Sequence, residues 1–354
     1  MSKIYVISDT HINNFVQFNS GTVVSEYSGI NSRCNNILNA IKDCAKQAIA
    51  EGAEALIIPG DVFHTRGILP VAVYNAAYKT FQEISKKISI IFTPGNHDFV
   101  SSTTVGSDEG LHSLYGFKEF AVVAHVPEHF VTDSFSISLI PFIPNKDGTV
   151  AAAEKLYKIA KKEKGKFHLV FFHHSFKDAE TGPINFKMPY ELEYTDIPAF
   201  DGKYSGHLHK HQRVGPANTG LVYIGGPVHH DVGERNYVPG WLSIDNKGTY
   251  TQIENKVSPR FVVLETDSEK ELNKLNASDY KVIKWTGEEA VGYKLRGSKE
   301  NIKVEITPKQ SKVLSRSTIS STDSVENMAR KYMESKLGKV DELLLKYGLD
   351  EWRS

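Results

Sequence analysis

The spacing of apolar residues changes along the chain, and the changes divide it. Through roughly residue 165, short apolar runs alternate with helical patterns, and Ile4 to Ser8, Ala55 to Ile58 and Ser89 to Phe92 read as buried strands. Between them, Ile37, Leu38, Ile41, Ala45, Ala48 and Ile49 recur at helical spacing from Asn31 to Glu51, with Gly52 as the stop, and a second helix fits Val71 to Lys87. After Ala121 strands follow one another directly: Phe167 to Phe172, Lys203 to Ser205, Leu221 to Ile224 and Trp241 to Ile244. Residues 1–256 thus combine βαβ units with a more antiparallel half. Residues 257–308 form a smaller unit, with strands expected at Phe261 to Glu265, Tyr280 to Trp285, Tyr293 to Arg296 and Ile302 to Ile306, and a capping box from Ser268 and Glu271. The serine- and lysine-rich stretch 309–323 reads as a linker. It leads into a tail, 324–354, where Asp323 and Glu326 suggest another capping box. One apolar stripe there comprises Val325, Met328, Ala329, Tyr332 and Met333; Gly338 ends that helix, and Val340, Leu343, Leu344 and Tyr347 make a second stripe before Trp352.

Composition narrows the function classes. Lysine plus arginine and aspartate plus glutamate each number 42, so no overall basic field draws the chain to a polyanion, and any nucleic-acid affinity has to be local or borrowed from a partner. No apolar run reaches the roughly 20 residues of a membrane span, and MSKIYVISD opens as a strand, so a soluble, unexported, cytoplasmic protein is expected. Cys34 and Cys44 fall on one helix and are expected on different faces, which argues against a disulfide or a thiolate metal site.

The informative polar residues follow strands. Asp9 and His11 follow the first, Asp61 the second, and Asn96, His97 and Asp98 the third; His173 and then His207 with His209 follow two later ones. Ligand crevices in such sheets lie outside the carboxyl ends of strands, so distant segments converge there. Each cluster alone reads as turn chemistry, but five placements in order point to one site. Carboxylates, imidazoles and an amide without thiolate suit Mn²⁺, Fe or Zn²⁺, and two such ions about 3.5 to 4 Å apart clamp a phosphoryl oxygen during in-line displacement. A shared carboxylate is then required.

DTH at 9–11, GD at 60–61, GNHD at 95–98, the His173 cluster and GHLH at 206–209 resemble the calcineurin-like metallophosphoesterase family. The resemblance implies a four-layer α/β/β/α sandwich, here with a small α+β capping domain and a helical tail. It also implies that Asp9, His11, Asp61 and His209 hold one metal and Asp61, Asn96, His173 and His207 the other. His97 would steer the phosphate or protonate the leaving oxygen, with Asp98 orienting it from behind. His173 competes with His174, since neighbours on a strand face opposite ways; His173 is preferred.

Three further stretches are similar to SbcD-type and meiotic-recombination-type nucleases: GDVFHTRG at 60–67, whose His64 resembles a second histidine beside the scissile phosphate; LIPFIP at 139–144; and YIGGPVHHDVGERNYVPGW at 223–241. The resemblance gives His229, His230 and Asp231 no catalytic role. It implies a Mn²⁺-dependent DNA exonuclease and endonuclease, with Mg²⁺, Fe or Zn²⁺ as alternatives. It also implies DNA as a partner, a homodimer using Val71 to Lys87 and the loop Ser101 to Gly110, and an SbcC-type ATPase bound by the tail. The length favours a compact, phage-type version working in a bacterial host's cytoplasm. DTHIN departs from the usual DxHLG, and the polar segment Asn13 to Gly29 is extra. The alternatives are a small-molecule (cyclic nucleotide) phosphodiesterase or phosphatase, and a non-catalytic scaffold of the same fold.

Overall fold

The computed structural model describes residues 2–19, 29–101, 111–182, 184–187, 190–296, 300–306 and 323–353. The first half comprises β1 (Lys3–Val6), α1 (Ser32–Ala50), β2 (Leu56–Pro59), α2 (Val71–Ser85), β3 (Ile90–Thr93), β4 (Val122–Val123), β5 (Glu128–Val131), β6 (Phe135–Ile140), α3 (Lys146–Ala160) and β7 (Phe167–His173). There follow β8 (Glu180–Thr181), β9 (Phe186–Lys187), β10 (Gly202–Gly206), β11 (Gln212–Val214), β12 (Leu221–Tyr223), β13 (Gly240–Asp245) and β14 (Tyr250–Glu254). The remainder is β15 (Phe261–Thr266), α4 (Glu269–Leu272), β16 (Tyr280–Trp285), α5 (Glu289–Arg296), β17 (Ile302–Ile306), α6 (Val325–Leu337) and α7 (Glu342–Arg353).

Two six-stranded sheets carry the site, ordered β14-β13-β1-β2-β3-β4 and β11-β12-β10-β7-β6-β5. Strand alternation dictates the layers. Ile4, Val6 and Ile57 face Ile137, Leu139 and Phe171 across the space between the sheets. Tyr5, Ile7 and Ile58 point the opposite way, onto Ile37, Ile41, Ala77 and Phe81 of α1 and α2. On the far side Val170 and Phe172 meet Ala153 and Leu156 of α3. The result is the four-layer α/β/β/α sandwich, each buried Leu, Ile or Phe contributing about 1.5–3 kcal/mol. β1, β2 and β3 pair in parallel in one sheet, and β6, β7, β10 and β12 do so in the other, so the carboxyl ends of several strands open onto one edge.

The small unit differs from expectation. Its sheet has three parallel strands, β15, β16 and β17. Tyr293 to Arg296, expected as a strand, belongs to α5. Parallel neighbours require a crossover between them, and Val291 and Leu295, four residues apart, turn into the small core around Trp285. Neither capping box forms. Ser268 makes no side-chain cap and Glu271 accepts from the Thr266 hydroxyl, while Ser324 caps α6 and Asp323 pairs with Lys331 at 2.7 Å. Gly338 ends α6 in a left-handed conformation, and in α7 Leu345 is buried while Leu343 and Leu344 are exposed. Cys34 and Cys44 are both buried and free, because ten residues fall only about 80° short of three full helical turns. Among the described residues no helix is long and apolar enough to cross a membrane.

Candidate metal centre

Backbone conformation prepares the site before any side chain does. Asp9, His11, Asp61 and His207 all adopt positive φ, at 54°, 44°, 51° and 83°. Non-glycine residues hold this region only where the surroundings over-determine it, and they cluster at functional sites. Here the surroundings are interlocked strand ends: Asp9 N–H donates to the Gly60 carbonyl (3.2 Å) and His11 N–H to that of Asp61 (3.0 Å). In return, Asp9 Oδ1 accepts from the His207 N–H and Asp61 Oδ1 from the His97 N–H, both at 2.8 Å. Two glycines of the motifs are there for space. A Cβ on Gly60 would lie 2.1 Å from the His173 ring, and one on Gly95 2.3 Å from Asp61 Oδ1.

Three imidazoles, His173, His209 and His97, share one arrangement, in which one nitrogen is tied to an oxygen and the other is left for the centre. His173 Nδ1 donates to the Pro59 carbonyl (2.9 Å), His209 Nδ1 to Glu234 Oε1 (2.5 Å) and His97 Nδ1 to the His64 carbonyl (2.6 Å). Such partners fix tautomer and ring orientation in metal sites. Two donor sets that contain a carboxylate result, Asp9 with His11 and His209, and Asp61 with His173 and His207, each within 4.8 Å, and His11, His64 and His97 also come within that distance of one another. Asn96 Oδ1 joins the second set, 2.8 Å from His207 Nδ1 and 3.1 Å from His173 Nε2. Asp61 Oδ2 faces both, 3.2 Å from His173 Nε2 and 3.5 Å from His11 Nε2.

These residues fit a pair of divalent ions. Metal–ligand bonds of about 2.0 to 2.2 Å bring neighbouring donors roughly 3 Å apart, and His11 Nε2 and His209 Nε2 face each other at 3.0 Å. Asp9 Oδ2 is buried without a hydrogen-bond partner among the described residues. Electrostatics point the same way. Burial by itself would depress His173, but Asp61 and Asp9 raise it to about 9; burial likewise opposes protonation of His209, which Glu234 and the two aspartates raise to about 9. The carboxylates demand positive charge at these two points, and at neutral pH protons supply what divalent ions displace on binding.

His174 is held by the Ser175 and Ile143 carbonyls at 2.9 and 3.0 Å, and it is His173 whose ring lies among the donors, with Asp61 and His207. Asp98 requires a correction. Its carboxylate accepts the N–H groups of Val62, Phe63 and Gly95 (3.1, 3.2 and 2.9 Å) and takes no hydrogen bond from the His97 ring. Buried under the loops, it is consumed by backbone donors and fastens the Asp61 loop to the Asn96 loop. His64 and His97 stand beside the donors with rings 5.7 Å apart, and both rings lie near that of His11, at 5.3 and 4.8 Å.

Residues 2–211 match the family described as calcineurin-like phosphoesterase. The chain belongs to that family. Over 215 residues it is 22% identical to the DNA double-strand break repair protein Mre11 of Archaeoglobus fulgidus, covering 58% of this chain and 48% of that protein; it therefore spans about half that relative's length. A dimetal phosphatase from Danio rerio (TM-score 0.43, 11% identity, 68% of this chain and 91% of that one) is similar, as is an archaeal phosphodiesterase (TM-score 0.34, 14% identity, 72% and 99%).

Sequence reasoning left two residues of this phosphoesterase without a role. Glu234 is buried; burial opposes its ionisation, but His209 holds its carboxyl down at about 2, and its Oε2 accepts the His230 N–H (2.7 Å). His230 Nε2 donates to the Asp9 carbonyl (2.9 Å), and its ring packs 5.1 Å from His11 and 5.2 Å from His209. Both lie beyond residue 211, in the 223–241 stretch, whose GE pair was the only signal in the sequence.

Proposed function

We propose that this phosphoesterase hydrolyses phosphodiester bonds of DNA, as a Mn²⁺-dependent exonuclease and endonuclease of the SbcD and meiotic-recombination type. The carrying observation is the His64–His97 pair beside the donor sets, in a chain that aligns over 215 residues with a DNA double-strand break repair protein. Asp9, His11, Asp61 and His209 would hold one ion, and Asp61, Asn96, His173 and His207 the other. Bound there, two ions supply Lewis-acid stabilisation of the phosphoryl oxygens and lower the pKa of a water. His97, its Nδ1 anchored on the His64 carbonyl, presents Nε2 to the leaving oxygen. A water oxygen joins phosphorus as its proton leaves to solvent, the ester P–O bond breaks, and the leaving oxygen takes a proton from His97, which regains one from solvent. His64 orients the strand on the other side of the phosphate. Oxygen and nitrogen donors without thiolate bind Mn²⁺ weakly enough to lose it in purification.

The partners follow the same reading. DNA is the substrate, a second copy docks through α2, where Val71 is exposed, and an SbcC-type ATPase covers the exposed Val325, Tyr332, Leu343 and Leu344 of the tail. The other half of the expected dimer surface, residues 102–110, lies outside the described residues. The test is a Mn²⁺ assay on end-labelled DNA, a cyclic nucleotide and an activated phosphodiester. Degradation of the DNA, abolished by chelator, is expected; turnover of the cyclic nucleotide in preference to DNA would replace this reading with the small-molecule one.

A further inference from the structure

The cavity above the donors, about 520 Å³, has two chemically different sides. One is the metal centre with His64 and His97. The other is largely aromatic, formed by Phe15, Phe18 and Phe261 with Val282, and Arg33, Lys303 and Glu305 also line the cavity. Phe15 lies 4.8 Å from the His64 ring, so the aromatic side begins directly beside the reacting centre. Phe18 packs edge-on at 5.1 Å from Phe261 and adopts φ 57°, a left-handed conformation unfavourable for a phenylalanine. A surface loop would relax from it; here the ring is kept at the cavity wall.

Arg33 makes this wall a built feature. It is 4% exposed, and its guanidinium carbon lies 4.8, 5.3 and 4.6 Å from the rings of Phe15, Phe261 and Tyr280. Its two terminal nitrogens donate to the Gln17 carbonyl (3.1 Å) and the His230 carbonyl (2.7 Å). The same cation therefore ties the Phe15–Phe18 segment, the small parallel sheet and the loop that supports His11. The Phe261 N–H donates to His229 Nδ1 (3.1 Å) and Asn36 Nδ2 to the Tyr280 hydroxyl (2.9 Å), which complete the junction.

An aromatic slot opening beside a phosphoester centre suits a planar heteroaromatic ring carried on the same sugar-phosphate. The volume is that of a pocket for one small ligand, within the usual range of about 300–1,000 Å³, and suits one base better than a base pair with its two backbones. Resting on the nucleic-acid reading above, we infer that this slot takes a single unpaired nucleobase against the wall of Phe15, Phe18 and Phe261, so that the nucleotide cut is one frayed, flipped or single-stranded. Stacking on aromatic rings tolerates any base, and unpairing costs least at mismatches and ends. The slot then reads pairing state and not sequence.

The test uses the full chain with Mn²⁺ on four substrates: a duplex with a paired end, the same duplex with a mismatched terminal pair, a strand with an abasic terminal nucleotide, and bis(p-nitrophenyl) phosphate. The mismatched end should be cut faster than the paired one, and loss of the terminal base should slow cleavage roughly tenfold. Phe15→Leu and Phe18→Gly should narrow the gap between normal and abasic termini, mainly by raising KM for the normal strand. Cleavage indifferent to the terminal base, in an enzyme that does degrade DNA, overturns the slot alone. Hydrolysis of the activated diester with no DNA degradation overturns the nucleic-acid reading, and with it the occupant proposed here.

Discussion

The two sides of the cavity are held in place by different means. At the donor side, backbone groups of neighbouring strand ends fix several of the groups, as the Pro59 carbonyl does His173, the His97 N–H does Asp61 and the His207 N–H does Asp9. At the aromatic side, position depends on Arg33, which joins three separate parts of the chain through two carbonyls and three rings. The donor side inherits its precision from the sheets, while the aromatic side owes its position to one side chain. Substitutions should therefore separate cleanly, those at the donors abolishing metal binding and those at the wall leaving it in place.

The largest effect is expected for Asp61→Ala, which removes the oxygen facing both donor sets. Hydrolysis should fall to background with loss of metal, and two retained ions would break the comparison at its strongest point. His97→Ala should retain both ions while turnover drops roughly 10²- to 10⁴-fold; metal loss in that variant would make His97 a ligand. Glu234→Gln, which weakens the support behind His209, should lower affinity at that site by about 10- to 100-fold, measured by calorimetry. Arg33→Met should keep the metal stoichiometry and show its defect in KM for DNA, and an equal loss of metal would show that wall and donors are one unit.

How much of this was legible follows the same division. Each donor stands within a short motif after a strand, and before Asp61, Asn96 and His207 a glycine is forced by close approach, so the clusters were visible from their placement and the family resemblance then named Asp9, Asp61, Asn96, His173 and His207. Phe15, Arg33 and Phe261 share no period or motif and meet only through the tertiary fold. Asp98 misled because a carboxylate next to a histidine suggests an orienting partner, whereas three backbone N–H groups claimed it first. Tyr293 to Arg296 misled because a short run with two apolar residues fits either period, and the requirement for a crossover between parallel strands decided it. The stripe in α7 was misplaced by one position, with Leu345 buried in place of Leu344.

The smallest effect concerns acid. His112 backs the loop after Asn96 through a bridge to Phe99, and burial, helped by His125 stacked at 5.6 Å, lowers its pKa to about 4 from 6.5. It is neutral in the fold, so the unfolded chain takes up the proton first as pH falls. Stability present above pH 6.5 is therefore lost towards pH 4, by on the order of 2 kcal/mol. His112→Asn should flatten that loss in urea melts at pH 7.5 and 4.5 (about 3 pH units apart, spanning the linkage window), and an unchanged slope would assign the acid sensitivity elsewhere.

The most direct test of the account is a calorimetric titration of chelator-stripped protein with Mn²⁺, followed on the same samples by hydrolysis of an activated phosphodiester. Two ions per wild-type chain are expected, with hydrolysis rising as the second binds, and none of either in Asp61→Ala. A single ion supporting full hydrolysis, or undiminished hydrolysis in Asp61→Ala, would contradict the shared-carboxylate centre.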